Sequence, residues 1–223
     1  MDVWTRGNLP IDLESLKGRP CIAGLDLSSR TDLSAFVLLF QPDEKKEETR
    51  YVVLPWFWIP ADNVEQRARR DGVPFDAWVR DGFVEATEGN VIDYRAIQKK
   101  IEELSQTYEI REIALDPWNS TALATELEGQ CMTVVEFGQG FKSMSDPTKE
   151  LDALIISGRL QHGGHPVLTW MASNVALRKD PADNWKPDKG RSRDRIDGIV
   201  ATVMALGRAM AADTVVPSIA WLA

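Results

Sequence analysis

The chain has 223 residues, 43% of them apolar, enough for one hydrophobic core with a small appendage and too few for several domains. Its formal charge of -8 and pI near 4.9 argue against a partner held by overall basic charge, and no apolar run is long enough to span a bilayer. Without a signal peptide, and with two cysteines, Cys21 and Cys131, both in apolar strand-like runs, it reads as an intracellular protein with buried free thiols rather than a disulfide or metal-thiolate protein.

Residues 1–20 are polar, contain prolines and lack periodicity, which predicts a linker or N-terminal arm. Three strands follow in CIAGLDL, SAFVLLF and RYVVLPWFWI, joined by turns at SSRTD and QPDEKKEET, as an antiparallel meander. NVEQRARRDG and FDAWVRDG read as helices, the second ending at Gly82. VEATEGNVID is extended with a turn at Glu88, Gly89 and Asn90, and YRAIQKKIEELSQTY places Ile97, Ile101 and Leu104 at helical spacing. REIALD is a strand, STALATELEGQ a helix capped by Ser120, and MTVVEF a strand. Ser145 ahead of Asp146 and Pro147 is a start signal for a helix in SDPTKELDALIISGRL. VLTWMASNVALRK continues as a helix, and DRIDGIVATVMALGRAMAA is the strongest helix of all. This order gives a mixed α/β domain over residues 21–213, with a tail at 214–223.

Three aspartates interrupt the apolar pattern. Alternation along CIAGLDL sets Cys21, Ala23, Leu25 and Leu27 on one face and Ile22, Gly24 and Asp26 on the other, so Asp26 points from a largely buried strand. An ionised carboxylate there must be paired, hydrated or bound to a cation. Asp116 closes REIALD on the face of Glu112 and Ala114, and Pro117 stops the ladder, leaving the carboxylate at a strand's C-terminal edge, where ligands collect in α/β sheets. Asp197 shares a helix face with Ala201 and Ala205; with Gly198 these small residues let the helix lie close to a sheet and carry Asp197 to the strand ends. Convergent carboxylates suit Mg²⁺ or Mn²⁺, and two such ions about 3.5 to 4 Å apart support phosphodiester hydrolysis. Each acid also has a plainer reading: Asp26 as a strand-end turn residue, Asp116 as an N-cap or Asx-turn, Asp197 as a first-turn acid favoured by the helix dipole.

The segment RKDPADNWKPDKGRSRDR offers Arg178, Lys179, Lys186, Lys189, Arg191, Arg193 and Arg195 either as a solvated loop or as a strip that contacts DNA phosphates. Lys186 and Lys189 are in addition candidates for the scissile phosphate. His162 and His165 in QHGGHP have zinc-pair spacing but no second ligand pair, and read as a turn. Trp118, Trp170 and Trp185 are candidates for base stacking, with Trp170 assigned to the core by its helical pattern. Ser120 reads as a cap rather than a nucleophile, and no recognition-helix signature appears, which implies low sequence specificity.

The stretches GLDLSSRTDLSAF, FDAWVRDGFVEATEGNVIDY, EIALDPWNST, VVEFGQGFKSMSDPTKELDALIISGRLQHGGHPVLTWMASN and RIDGIVATVMALGRA resemble, in this order, the C-terminal nuclease domain of the large terminase subunit of tailed double-stranded DNA phages. The resemblance implies a ribonuclease H-like mixed sheet, an antiparallel three-strand meander followed by parallel strands, flanked by helices. It also implies a metal-dependent endonuclease that cuts concatemeric double-stranded DNA during genome packaging in the host cytoplasm. It carries the metal-ligand role onto Asp26, Asp116 and Asp197, with two Mg²⁺ or Mn²⁺ ions once DNA is bound, and a supporting place near the metals onto Asp32. Asp194 reads as the N-cap of the last helix. Large terminases also carry an ATPase motor, whereas this chain has no G-x-x-x-x-G-K-[ST] loop. The motor, the portal protein and the small terminase subunit are therefore partners expected of a full-length context, and the isolated domain is expected to be monomeric. Two rival readings stand beside this one. GLDLSSRTD is similar to the phosphate-binding hairpin of actin-like and sugar-kinase-like phosphotransferases, which predicts a second such hairpin, for which FGQGFKS is the candidate. A nuclease fold that docks DNA or portal without cutting would lack one of the acids, and all three are present.

Overall fold

The two longest apolar stretches of the first forty residues become neighbouring strands buried on both faces in the computed structural model, which describes residues 2–27, 33–62, 64–118 and 120–213. After a short helix α1 (Leu13–Leu16), strands β1 (Pro20–Asp26), β2 (Ser34–Phe40) and β3 (Tyr51–Pro60) form the antiparallel meander, with Gly24 opposite Val37 and Val37 opposite Pro55. Helices α2 (Val64–Asp71) and α3 (Phe75–Arg80) lead to β4 (Glu85–Thr87). Then come α4 (Tyr94–Ser105), β5 (Glu109–Leu115), α5 (Thr121–Gly129), β6 (Val134–Glu136) and α6 (Phe141–Ile156). The chain continues through β7 (Leu160–Gln161), α7 (Pro166–Asn174), a hairpin of β8 (Leu177–Lys179) and β9 (Trp185–Pro187), and α8 (Asp197–Asp213).

The main sheet runs β4-β3-β2-β1-β5-β6, with β7 paired to β3; β5 lies parallel to β1 and β6 parallel to β5. A proline lacks the N–H a ladder needs, and Pro55 falls between the segments of β3 that pair with β7 and with β4. Each face of the sheet has its own core. Ile22, Val37, Phe57 and Ala114 pack toward α6, α7 and α8, while Ala23, Leu25, Phe36 and Leu115 pack toward α4 and α5. The alternation expected along β1 is thus observed, and it places the Asp26 face under α8.

Several local expectations are corrected. Helix α6 begins four residues before Ser145, at Phe141 with Gly140 as its N-cap, and Pro147 lies inside it. The buried Ser145 hydroxyl instead accepts a hydrogen bond from the backbone N–H of Trp185. Residues 177–187 do not extend α7 but form the β8–β9 hairpin, because Asp180 accepts from the backbone N–H groups of Ala182 and Asn184 and closes an Asx-turn. Ser120 does not cap α5 with its side chain; its hydroxyl donates to the Asp116 carbonyl. Asp194 does not cap α8, whose first turn closes on the carbonyl of Ile196; the Asp194 carboxylate pairs with Arg195. Cys131 is exposed in a turn, whereas Cys21 is buried and its thiol is pushed up to about 12 by that burial.

The N-terminal arm is packed rather than loose. Trp4 stacks on His162 with ring centroids 3.9 Å apart and donates to Thr169, while the His162 backbone N–H bonds to the carbonyl of Gly7. His162 and His165 form the expected turn, His165 bonding through its N–H to the His162 carbonyl and accepting from Leu168 at the start of α7. Burial lowers His162 below its ordinary 6.5 and holds His165 at about 4. Because the unfolded imidazole takes up its proton at higher pH than the folded one, this contribution to stability is complete above the unfolded value near 6.5 and is lost as pH falls through about 4. Between about pH 7 and pH 4.5 the native protein is expected to lose about 2 kcal/mol more stability than His165→Gln, read from urea unfolding midpoints.

Candidate active site

Helix α8 lies on β1 with no side chain between them at one point. A Cβ on Gly24 would sit 2.0 Å from the Ala201 carbonyl oxygen, so only glycine permits this approach, and Ala201 and Ala205 are fully buried against the strand. The contact brings Asp197, the first residue of α8 and 5% exposed, to the end of β1, where Asp26 is 2% exposed. Between them lies the ammonium of Lys189, 2.6 Å from Asp26 Oδ2 and 2.8 Å from Asp197 Oδ1. Burial alone would lower the lysine, but the two carboxylates outweigh that effect and hold it above its ordinary range, so it is a cation at neutral pH. The Gln139 side-chain amide donates to Asp26 Oδ1 at 3.0 Å, and Lys186 fixes that loop by donating to the Gln139 carbonyl at 3.0 Å.

Asp116 arrives on the neighbouring strand. Leu115 pairs with Leu25, so Asp116 follows the end of β5 beside the position of Asp26. Two residues earlier Ala114 is buried in the core on the α8 side, and Glu112 on the same face accepts from Arg208 of α8 at 2.7 Å. The half-buried Asp116 carboxylate accepts from the backbone N–H of Trp118 at 3.0 Å, an Asx-turn. Of the three acids expected to converge, the structure brings Asp26 and Asp197 together on Lys189, while Asp116 lies at the adjacent strand end and is turned to its own loop. Among the described residues no three His, Cys, Asp or Glu side chains are grouped closely enough to hold a metal ion. Asp32 lies outside the described residues.

The basic segment borders this acidic pair, but its members differ. Lys189 points inward to the carboxylates and Lys186 to a carbonyl, so both candidates for the scissile phosphate are engaged within the protein. Lys179 lies over the Trp185 ring at 3.8 Å and Arg178 over Phe141 at 5.9 Å. Arg191 pairs with Asp188 at 3.7 Å, and Arg195 with Asp194 at 2.7 Å and Asp71 at 3.5 Å. An open cavity of about 420 Å³ is lined by Lys189, Arg193, Arg195, Asp197 and Asp71, whose carboxyl is held low by the hydrogen bond from Arg70. Trp170 packs edge-on to Phe75, as its helical pattern implied, whereas Trp118 is 80% exposed beside Asp116. His162 belongs to the N-terminal packing and His165 packs against Phe57 and Phe83, and neither bonds to these carboxylates.

Sequence reasoning missed Gln139 and the inward turn of Lys189. The signal for Gln139 was available, since FGQG follows a third parallel strand whose end borders the others. That stretch runs from β6 straight into α6 and forms no hairpin, which removes the structural basis of the phosphotransferase reading.

A family model for the terminase large subunit endonuclease domain matches residues 2–213. The large terminase subunit of Enterobacteria phage HK97 is 38% identical over 210 residues, which cover 93% of this chain and 40% of that protein. Protein YmfN of Escherichia coli strain K12 is 35% identical over 206 residues, 90% of this chain and 45% of its own length. The chain thus spans less than half the length of these relatives. The crystal structure of the HK97 large terminase matches with a TM-score of 0.83 at 37% identity, over 93% of this chain and 42% of that one. The large terminase nuclease of thermophilic phage G20c, solved with bound magnesium, shares the fold at 15% identity with a TM-score of 0.51, over 92% of this chain and 96% of that one.

Proposed function

The chain belongs to the endonuclease-domain family of the terminase large subunit, with its ribonuclease H-like mixed sheet, and from that premise we propose that it cleaves double-stranded DNA with divalent cations held by Asp26, Asp197 and Asp116. The observation that carries this reading is the facing pair of buried carboxylates, one from the sheet and one from the helix, with a cationic group already seated between them. Hard carboxylate oxygens around a position that accepts positive charge fit Mg²⁺ or Mn²⁺, two of them when DNA is bound. Bound there, such an ion supplies an activated water and stabilises the leaving oxygen of a phosphodiester.

The residues of the chain do the rest. Asp26 and Asp197 present opposed oxygens from a rigid strand and a rigid helix. Gln139 orients Asp26 through its amide, and Asp116 adds a third carboxylate by releasing the Trp118 N–H. Arg193 and Arg195 at the cavity, and Arg178, Lys179 and Arg191 of the same basic segment, meet the DNA backbone, while Lys186 supports Gln139. Such contacts read phosphate and not base, so cutting is of low sequence specificity and binding weakens steeply with salt. The substrate on this reading is concatemeric phage DNA in the host cytoplasm, and an ATPase motor, a portal protein and a small terminase subunit are partners of the longer protein.

Supercoiled plasmid incubated with the protein and Mn²⁺ is expected to become nicked and then linear, and a chelator to stop the reaction. Plasmid that is retarded at low salt yet stays intact with both Mg²⁺ and Mn²⁺ would favour a DNA-docking role and overturn the nuclease reading.

A further inference from the structure

We propose that Lys189 is a tethered counter-cation of the Asp26 and Asp197 site, one that excludes monovalent ions and yields only to a divalent cation, and so sets the concentration at which the site is loaded. The proposal rests on the reading of these two aspartates as cation ligands.

Gly24 and Ala201 force the two carboxylates together, and without a cation they would oppose one another in a site almost closed to water. The ammonium resolves this by contacting one oxygen of each, Asp26 Oδ2 and Asp197 Oδ1. A cation bridging the same two side chains competes for that same position, so the two occupancies exclude one another. A free monovalent ion brings no more charge than the ammonium and lacks the advantage of attachment. A divalent ion brings one charge more.

Lys189 is also built to withdraw. Its side chain is 42% exposed, reaching the pair from the solvent side. Its backbone belongs to a turn held without it: Asp188 accepts from the N–H groups of Gly190 and Ser192, the Ser192 hydroxyl accepts from Ala176, and the Arg193 N–H bonds to the Asn174 carbonyl. Releasing the ammonium therefore requires only side-chain rotation. Once out, it joins Arg193 and Arg195 at the cavity, adding positive charge to the surface offered to DNA.

The test is calorimetric titration of Mn²⁺ into the native chain, Lys189→Met and Asp197→Asn, without DNA. Lys189→Met is expected to bind about tenfold more tightly than the native chain, and Asp197→Asn more weakly. Equal affinity of Lys189→Met and the native chain, with Asp197→Asn weaker, would overturn the role of the lysine and leave the site standing. Undiminished affinity of Asp197→Asn would remove the site reading itself. Because Lys189→Met leaves two buried carboxylates opposed, a second measurement needs no variant. Acetylation of Lys189 by an amine-reactive reagent, read by mass spectrometry against exposed Lys99, should rise severalfold when Mn²⁺ is added to the native chain. Unchanged labelling at saturating Mn²⁺ would overturn the proposal.

Discussion

Asp26→Asn and Asp197→Asn are each expected to slow Mn²⁺-dependent plasmid nicking by about 10³-fold or more. A metal-held transition state draws several kcal/mol from its ligands, and each 1.36 kcal/mol is tenfold in rate. Asparagine keeps the shape of the side chain while removing the charge that would hold the cation on the proposed reading. It also leaves Lys189 one buried carboxylate partner, so the fold should survive, which circular dichroism and the thermal midpoint will show. Residues that hold one centre act as a unit, and the double variant is therefore expected to be little slower than either single one. Time courses of nicked and linear plasmid measure all three; undiminished cutting by either single variant would remove that residue from the site.

Gly24→Ala should be the most damaging small substitution in the chain. The added methyl would stand 2.0 Å from the Ala201 carbonyl oxygen and 2.8 Å from its carbon. Both are backbone atoms of a helix, so no side chain can rotate away, and α8 must lift from β1 with its buried row of Ala201, Met204 and Ala205. The loss is expected to exceed about 4 kcal/mol, above the usual cost of an overpacked core because backbone meets the new methyl, and to appear as insoluble protein or a collapsed urea midpoint. Gly129→Ala is the control: at the end of α5 its new methyl meets nothing within 4 Å, and the midpoint should hold or rise slightly. A Gly24→Ala protein within about 1 kcal/mol of the native chain would mean that α8 shifts freely, outside the usual range for overpacked cores.

The contrast between these two sites and the basic segment explains how much was legible in the sequence. Strand β1 has a fixed period of two, so the side of Asp26 followed from its neighbours, and the small residues of α8 marked the helix face that meets it. Lys189 sits in a connection without a period, and nothing in its spacing says where its side chain points, whereas Gln139 is marked only by following the end of β6. Pro147 was misread because a proline commonly marks the first turn of a helix, whereas here Gly140 supplies the start with its backbone alone. The β8–β9 hairpin was hidden because 167–179 keeps helical composition up to the turn that Asp180 closes. The Trp4 and His162 stack joins residues 158 apart, a separation that local patterns do not span.

The meeting of Gly24 with Ala201 works as a caliper stop. Main chain rests on main chain, so the jaw opening between the two acids is independent of which apolar residues fill the space around it. Drift in the neighbouring volume, at Val203 or Leu206 for example, would soften the molecule before it moved the jaws. The separation of Asp26 and Asp197 is thereby insulated from ordinary change in the interior.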